Sequence, residues 1–320
     1  MNIIEVSKLS KEYNGFKAVK KIDFNVHKGE IFGFLGPNGA GKTSTINMLT
    51  GLAKPTEGSI VISGIDGIKN TKKVQGKIGI VPDESNLYDE MSGFDNLVFC
   101  ASLYGIDKTT RETRAKELLK QFSLSDTGNR PFKAYSKGMK RKLTIAAGII
   151  HNPEILFLDE PTTGIDVESA RQIRKLIQTL NQNGTTIFLT THYIEDAERL
   201  CHRIGFIVDG KVIKVSDKQS LMMNSEKEHI LEFATDKDCT PLKEVIVNTF
   251  PELTIRSISK ENIKISSKRQ ISLMPIIDLF EKHGVEVYEA KRLRPSLEEI
   301  FLKITGLEIE KLKKEKESKK

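Results

Sequence analysis

The chain has 320 residues of which 38% are hydrophobic, a length and composition that predict about two domains with substantial cores. Its net charge of +7 comes mostly from scattered lysines and arginines, and because no aromatic stacking platform accompanies them, we expect no nucleic-acid partner. No apolar run approaches the roughly 18 residues of a membrane span, no leader pattern opens the chain, and three separated cysteines without metal spacing favour a reduced, cytoplasmic setting.

The first segment alternates apolar and polar residues from 2 to 26, with turn signals at Asn14-Gly15 and Lys28-Gly29. This alternation is typical of antiparallel strands. We expect a small antiparallel sheet beside the site that follows.

A glycine-rich segment after the apolar run Ile31 to Leu35 predicts a phosphate site. It has the pattern G-x-x-x-x-G-K-S/T, in which backbone N–H groups turn inward around phosphates. Lys42 would bind the outer phosphates and the Thr43 hydroxyl would ligate Mg²⁺, where Thr43 opens a helix whose positive dipole faces the anion. The predicted nucleotide-contacting residues are Gly36, Pro37, Asn38, Gly39, Ala40, Gly41, Lys42, Thr43 and Ser44. These residues predict a nucleoside triphosphate as ligand.

A strand at 77–81 precedes Asp83, and the pattern is helical from 85 to 150, most clearly at 111–122. Within this region lies the segment Tyr135-Ser136-Lys137-Gly138-Met139. A serine directly before a helical pattern is an ordinary N-cap when it is considered alone.

Two acids end the next apolar run, Ile155 to Leu158. Asp159 would hold Mg²⁺, usually through water, and Glu160 would polarise the water that attacks the γ-phosphate. A core strand capped by solvated carboxylates is the alternative, but ligands of open α/β sheets bind at the carboxyl ends of strands. Helical patterns at 167–180 and 194–200 alternate with strands near 187 and 204, which indicates an α/β core.

The order of these motifs, continued by Thr163-Gly164-Ile165-Asp166 and Thr191-His192, resembles the nucleotide-binding subunits of ATP-binding cassette (ABC) transporters over residues 1 to about 220. The Ser-x-Gly segment is its most specific part, because other P-loop ATPases lack it. The resemblance implies a P-loop cassette with a mixed-sheet core, an antiparallel β subdomain and a helical subdomain at about 85–150. It also implies an ATPase that dimerises around two ATP molecules, as a homodimer, and drives a separately encoded permease at the inner face of the membrane.

The resemblance also assigns roles to single residues. Ser136 and the Gly138 backbone would contact the γ-phosphate of ATP held by a second copy. Tyr13 would stack on adenine, although a tyrosine packed on the small sheet is the alternative. His192 would touch the γ-phosphate and act in catalysis with Glu160 and Lys42, whereas a lone histidine is more often structural. Asp166 would lie along the dimer seam, and an N-cap role explains it equally well.

The chain departs from the family pattern at Asp83, where glutamine is usual. Asp83 would still accept bonds from metal-bound water, but it adds negative charge near the γ-phosphate. Lys137 and Met139 also depart from the usual signature residues, glycine and glutamine, while the two contacting positions of the signature are intact. We therefore include Asp83 with Thr43 and Asp159 as a candidate Mg²⁺ contact.

A second unit follows the cassette, which we place at 1–222. The second unit covers 223–306. Its strand and helix patterns have the order βαββαβ, which suggests a small ferredoxin-like domain without catalytic groups. Ser296 and Glu299 have the spacing of a capping box. This ending resembles the C-terminal extension of subunits that serve drug, lipid or polysaccharide exporters. The charged tail, 307–320, is expected to be a solvated helix end or a contact for anionic lipid.

Two other functions fit parts of the pattern. One is a soluble ABC ATPase that acts on nucleic acid or the ribosome, but such proteins usually carry long coiled-coil insertions or two cassettes. The other is a P-loop kinase, which the signature segment argues against. The transported substrate is not readable, because in this architecture the permease contacts the cargo.

Overall fold

The chain folds into two compact units. A computed structural model describes residues 1–225, 229–293 and 296–306. The units are Met1–Asp217 and Lys218–Gly306. The division lies earlier than the predicted boundary at 222, because the helix that begins at Lys218 contacts the last helix of the second unit. The predicted charged tail, 307–320, lies outside the described residues.

The first unit contains ten strands and seven α-helices in its described residues. The strands are β1 (Asn2–Tyr13), β2 (Phe16–His27), β3 (Ile31–Leu35), β4 (Glu57–Ile62), β5 (Ile65–Asp66), β6 (Ile78–Val81), β7 (Ile155–Asp159), β8 (Thr186–Thr191), β9 (Arg203–Val208) and β10 (Lys211–Asp217). The helices are α1 (Lys42–Leu49), α2 (Thr71–Gln75), α3 (Gly93–Leu103), α4 (Lys108–Gln121), α5 (Lys137–Ile149), α6 (Val167–Gln182) and α7 (Ile194–Leu200).

Two sheets form this unit. The small sheet has the order β2-β1-β4-β5 and is antiparallel, as the alternation of residues 2–26 predicts. The larger sheet has the order β10-β9-β3-β8-β7-β6, and its strands are parallel except for β10. Strands β3, β7 and β8 are buried along their whole length, which explains the apolar runs that each of them contains.

A cluster of phenylalanine rings joins the two sheets. Phe24 of β2 packs against Phe32 and Phe34 of β3 with ring centroids 5.7 and 5.4 Å apart, and against Phe188 of β8 at 6.0 Å. Phe157 of β7 lies 5.5 Å from Phe188. Aromatic pairs at these distances add to the gain from burial. The cluster therefore packs β2 of the small sheet against β3 and β8 of the larger sheet.

Four helices of this unit begin at a short polar side chain. Ser92, Asp107, Ser136 and Asp166 each accept a hydrogen bond from the backbone N–H three residues later, at the beginning of α3, α4, α5 and α6. Such a cap is worth about 1 kcal/mol. Among the helices of the described ranges, none combines the length and the apolar character that a membrane span needs.

The second unit is a four-stranded antiparallel sheet with helices. Its elements are α8 (Lys218–Ser225), β11 (His229–Thr235), α9 (Lys243–Thr249), β12 (Thr254–Ile258), β13 (Asn262–Ser267), α10 (Met274–Lys282), β14 (Val287–Leu293) and α11 (Leu297–Thr305). The strand order is β12-β13-β11-β14, so the two central strands are the first and third of the βαββαβ series, as in a ferredoxin-like fold. Leu231 and Phe233 share its core with Phe280 of α10. The predicted capping box is present, because Ser296 and Glu299 bond each other's backbone.

Candidate functional site

The carboxyl ends of three adjacent strands form the candidate site. β3 lies beside β8, and β8 lies beside β7. The segments that follow these strands carry the glycine-rich loop, His192 and Glu160 respectively. The topology therefore gathers motifs that are far apart in sequence, at the edge where parallel sheets bind ligands.

The glycine-rich loop is held tightly against its neighbours. A Cβ atom at Gly36 would lie 2.1 Å from the Ile207 carbonyl oxygen, so only glycine fits there. Gly41 has a φ of +100°, which favours glycine, and helix α1 then begins at Lys42, one residue earlier than predicted. The buried Lys42 ammonium donates to the carbonyl oxygens of Gly36 at 2.9 Å and Pro37 at 3.1 Å. The loop thus curls around its own lysine.

Glu160 lies between a lysine and a histidine. Its backbone has a φ of +48°, in the left-handed region that L-residues rarely adopt. Its Oε1 lies 3.1 Å from Lys42 Nζ, and its Oε2 lies 2.8 Å from His192 Nδ1. The Thr163 hydroxyl donates to Oε2 at 3.2 Å. The unusual backbone therefore turns the carboxylate from the end of β7 toward the glycine-rich loop.

The protonation state of Glu160 follows from these contacts. Burial raises its pKa, but the hydrogen bond with His192 and the charge of Lys42 outweigh burial and lower the pKa to about 2. A carboxylate with such partners stays ionised at neutral pH. The site thus contains a buried negative charge beside a lysine and a histidine.

The candidate Mg²⁺ contacts are all oxygen donors. Asp159 ends β7 as a buried carboxylate that accepts a hydrogen bond from the Thr190 hydroxyl. Thr43, Asp83 and Lys42 together line one cavity. Carboxylate and hydroxyl oxygens suit Mg²⁺, which usually takes one or two carboxylates together with phosphate oxygens and water. Within the described residues, no cluster of three His, Cys, Asp or Glu side chains is placed to hold a metal ion.

An open cavity of about 330 Å³ brings most of the predicted residues together. Its walls are formed by Tyr13, Phe16, Ala18, Asn38, Gly39, Gly41, Lys42, Thr43, Ser44, Asp83, Glu160, Thr163 and His192. Three of these, Phe16, Ala18 and Thr163, were not among the predicted site residues. Phe16 pairs with Tyr13 across the first hairpin, so the Asn14-Gly15 turn was a signal for its position.

Seven predicted residues are not part of this wall. Gly36, Pro37 and Ala40 belong to the glycine-rich loop and Asp159 precedes Glu160, whereas Ser136, Gly138 and Asp166 lie at the starts of α5 and α6. The Ser136 hydroxyl accepts from the Met139 N–H at 3.3 Å, and the Asp166 carboxylate accepts from the Ser169 N–H at 2.8 Å, so both are N-caps. Gly138 packs so closely that a Cβ there would lie 2.3 Å from Ser169 Oγ. Within one chain Ser136, Gly138 and Asp166 are structural.

Sequence reasoning also missed Arg141. This buried residue of α5 donates to the carbonyl oxygens of Pro82, Asp83 and Glu160. Burial lowers its pKa, while the carboxylates of Asp83, Asp159 and Glu160 oppose that shift. The signal available in the sequence was a charged residue on the otherwise apolar face of a predicted helix.

Comparisons with known proteins identify the family. The family model described as ABC transporter matches residues 19–163. A linearmycin resistance ATP-binding protein of Bacillus subtilis (strain 168) is 33% identical over 307 residues, which cover 95% of this chain and 98% of that protein. A Nod factor export ATP-binding protein of Cupriavidus pinatubonensis is 32% identical over 307 residues, which cover 96% of this chain and 92% of that protein.

Solved structures agree with the fold. A dimeric ATP-binding cassette in a post-hydrolysis state, bound to ADP and Pi, aligns with 67% of this chain and 98% of its own length, with a TM-score of 0.62 and 28% identity. The alternatives of a nucleic-acid or ribosome ATPase and a kinase receive no support from these relatives. The chain belongs to the ABC transporter family, as an ATP-binding subunit whose ATP hydrolysis powers transport.

Proposed function

We propose that the chain binds ATP with Mg²⁺ in the cavity beside Lys42 and hydrolyses it as a homodimer that drives an export permease. The observation that carries this proposal is the contact of Glu160 with both Lys42 and His192 beside the glycine-rich loop. The names of the two relatives, one for antibiotic resistance and one for Nod factor export, support export as the direction.

Binding groups surround the cavity. Backbone N–H groups of residues 36–44 would hold the phosphates, Lys42 would neutralise the outer ones, and Tyr13 would stack on adenine. Thr43, Asp159 and Asp83 would hold Mg²⁺, which when bound neutralises charge on the phosphates. Asp159 would act through water, since its carboxylate is buried and already bonded to Thr190.

Glu160 would orient the attacking water. A carboxylate with a pKa of about 2 is a weak proton acceptor. When a phosphate binds the Lys42 ammonium, Glu160 loses a cationic partner and gains an anionic neighbour. Both changes raise the pKa of Glu160. ATP binding would therefore convert an inert carboxylate into a better base, while His192 keeps it in place at 2.8 Å.

The second copy would supply the signature residues. Ser136 is exposed at the N-terminus of the long helix α5, where a hydroxyl, N–H groups and the helix dipole attract an anion. We propose that Ser136 and Gly138 contact the γ-phosphate bound by the other copy, and that Asp166 lies along the seam. The similar cassette that forms a dimer with ADP and Pi supports this arrangement.

The permease would contact an apolar stripe at helix α3. Tyr88 and Leu103 are 55% and 69% exposed, and the Tyr88 ring meets Phe99 edge to face at 5.2 Å. Phe99 and Leu103 are four residues apart on α3 and share one face. Exposed apolar groups in such a row are typical of interaction sites. We place the chain at the cytoplasmic face of the membrane, in keeping with cysteines that form no disulfide in the described residues.

Replacement of Glu160 with Gln tests this function. The variant keeps the shape but loses the charge, so hydrolysis should fall at least about a hundredfold while ATP still binds. Because hydrolysis would reopen the dimer, Glu160→Gln should accumulate as an ATP-dependent dimer in light scattering, and ADP should not support it. Adding Ser136→Arg should keep the variant monomeric. Normal hydrolysis by Glu160→Gln, or a monomer in saturating ATP, would contradict the proposal.

A further inference from the structure

Arg141 is a buried cation that joins three segments of the first unit. It is 7% exposed on α5, the helix that Ser136 caps. Its Nη1 donates to the Pro82 carbonyl at 2.5 Å, and its Nη2 donates to the Asp83 carbonyl at 2.8 Å and to the Glu160 carbonyl at 3.1 Å. One side chain thus connects α5, which we call the signature helix because Ser136 caps it, with the Asp83 loop after β6 and with Glu160 after β7.

These contacts make the geometry rigid. Burying a guanidinium without hydrogen-bond partners costs free energy. The buried Arg141 therefore favours the positions of the groups that accept its hydrogen bonds. The three carbonyl oxygens and the Asp83 carboxylate, 3.4 Å from Nη2, supply that compensation. Since the guanidinium is planar and its N–H directions are fixed, a shift of one partner weakens the bonds to the others. The Asp83 loop and the Glu160 carbonyl are therefore held at set positions relative to α5.

The Glu160 backbone is held from both sides. Its N–H donates to the Thr190 carbonyl at 3.2 Å, and its carbonyl accepts from Arg141. Because the residue has a φ of +48°, its conformation needs such external support. That conformation is what aims the carboxylate at Lys42 and His192. Arg141 is not part of the wall of the cavity that contains Lys42.

We propose that Arg141 is a positioning residue for ATP hydrolysis, which sets Asp83 and Glu160 relative to the signature helix without touching the nucleotide. The proposal rests on the role proposed above for Glu160. It also accounts for the acid at position 83, because Asp83 gives this arginine a charged partner that a glutamine would not.

The test separates turnover from binding. Arg141→Met and Arg141→Lys are assayed for ATP affinity, kcat and KM, and melting temperature. We expect KM and ATP affinity within about twofold of wild type and kcat lower by about tenfold to a hundredfold, because small misplacements of catalytic groups cost that much. Arg141→Lys retains a buried charge, so it remains informative if Arg141→Met does not fold. One ammonium cannot reproduce the planar set of N–H donors of the guanidinium, so the kcat of Arg141→Lys should also fall.

Two comparisons make the test specific. Lys142→Met removes the next cation of α5, whose ammonium donates to Gln172 at 2.7 Å at the surface, and it should leave kcat unchanged. If Arg141 acts through the Asp83 loop, adding Asp83→Asn to Arg141→Met should lower kcat by less than the product of the two single effects.

The outcomes are distinct. Wild-type kcat in Arg141→Lys, or fully multiplicative losses with Asp83→Asn, overturns the positioning role. Loss of ATP binding in step with kcat and melting temperature overturns it as well, since it shows a merely structural arginine. Glu160→Gln is assayed in parallel: normal turnover there overturns the proposed function and the role of Arg141 with it. An inactive Glu160→Gln beside a fully active Arg141→Met overturns the Arg141 proposal alone.

Discussion

At the scale of single residues, Asp83 and Arg141 explain how an acid is accommodated beside a phosphate site. The sequence alone indicates a charge that repels the γ-phosphate. The structure adds a guanidinium whose Nη2 lies 3.4 Å from the Asp83 carboxylate. An opposite charge at that distance offsets part of the repulsion, although the half-exposed carboxylate is also screened by water. The departure from glutamine therefore comes with its own counter-charge.

His151 gives a pH-dependent contribution to stability. Burial lowers its pKa below the ordinary value of 6.5, the nearby Arg114 lowers it further, and the bond to the Ile78 carbonyl only partly opposes them. The unfolded chain therefore binds a proton more readily than the folded chain as the pH falls through about 6.5. His151→Phe removes this titration and can keep the stacking contact with Tyr104, whose ring centroid lies 3.6 Å away.

We expect wild type to lose more unfolding free energy than His151→Phe between about pH 7.5 and about pH 5.5, measured by urea denaturation. The lost bond to Ile78 lowers the variant's stability by a similar amount at every pH, so the comparison of slopes remains valid. Parallel curves for the two proteins over this window would show that His151 does not titrate differently on folding.

Sequence reasoning reaches the residues whose chemistry is contiguous in sequence. The glycine-rich loop and the Asp159-Glu160 pair are local patterns, and the structure places residues of the loop and Glu160 in the wall of one cavity, with Asp159 at the end of β7. Arg141 acts on carbonyl groups that no side-chain pattern encodes, and its partners lie on other segments. Only tertiary packing brings them together. The left-handed φ of Glu160 was equally unreadable, because nothing local in a Leu-Asp-Glu-Pro run requires it.

At the scale of elements, one helix, α5, both presents the signature residues and packs against neighbouring segments. Its N-terminus carries Ser136, while its first turns pack against α6 at Gly138 and hold the Asp83 loop through Arg141. A side chain larger than glycine at 138 would push α5 away from Ser169, since a Cβ would lie 2.3 Å from its hydroxyl oxygen. The signature glycine is thus required by packing, whether or not its N–H contacts a phosphate.

Helix α3 is the element on which we test the permease contact. Leu103→Glu places a charge on the exposed apolar stripe, so it should weaken binding to the permease by about tenfold or more, because a desolvated anchor is worth at least about 1.4 kcal/mol. ATPase activity of the purified chain should not change. The measurement compares that activity with activity in membranes that contain the permease.

Leu52→Glu is the matched control for the permease contact. Leu52 is 64% exposed and does not belong to the stripe of Tyr88, Phe99 and Leu103, so its variant should retain permease-stimulated activity. An equal loss in both variants would indicate a general surface effect, and an unchanged Leu103→Glu would place the permease elsewhere.

At the scale of the whole molecule, the site depends on the order of strands rather than on any one motif. The α/β class and the strand positions followed from sequence patterns, but the order β10-β9-β3-β8-β7-β6 is set by which strands pair. That order puts β9 on the side of β3 away from β8, where Ile207 supports Gly36. Strand β9 belongs to the site although it carries no predicted site residue.

This dependence on β9 leads to a prediction about where the chain can be cut. A fragment of residues 1–217 keeps both sheets and every residue of the cavity wall, from Tyr13 to His192. It should therefore melt cooperatively and bind ATP within about threefold of the full chain, since every described residue of the cavity wall is retained. A fragment of residues 1–202 lacks β9 and β10, so β3 loses one neighbour and the glycine-rich loop loses its support at Ile207. It should bind ATP far more weakly or not fold.

Isothermal calorimetry of both fragments with ATP checks the expectation. If the 1–217 fragment folds but does not bind ATP, the second unit contributes to the nucleotide site, and the function cannot be assigned to the first unit alone.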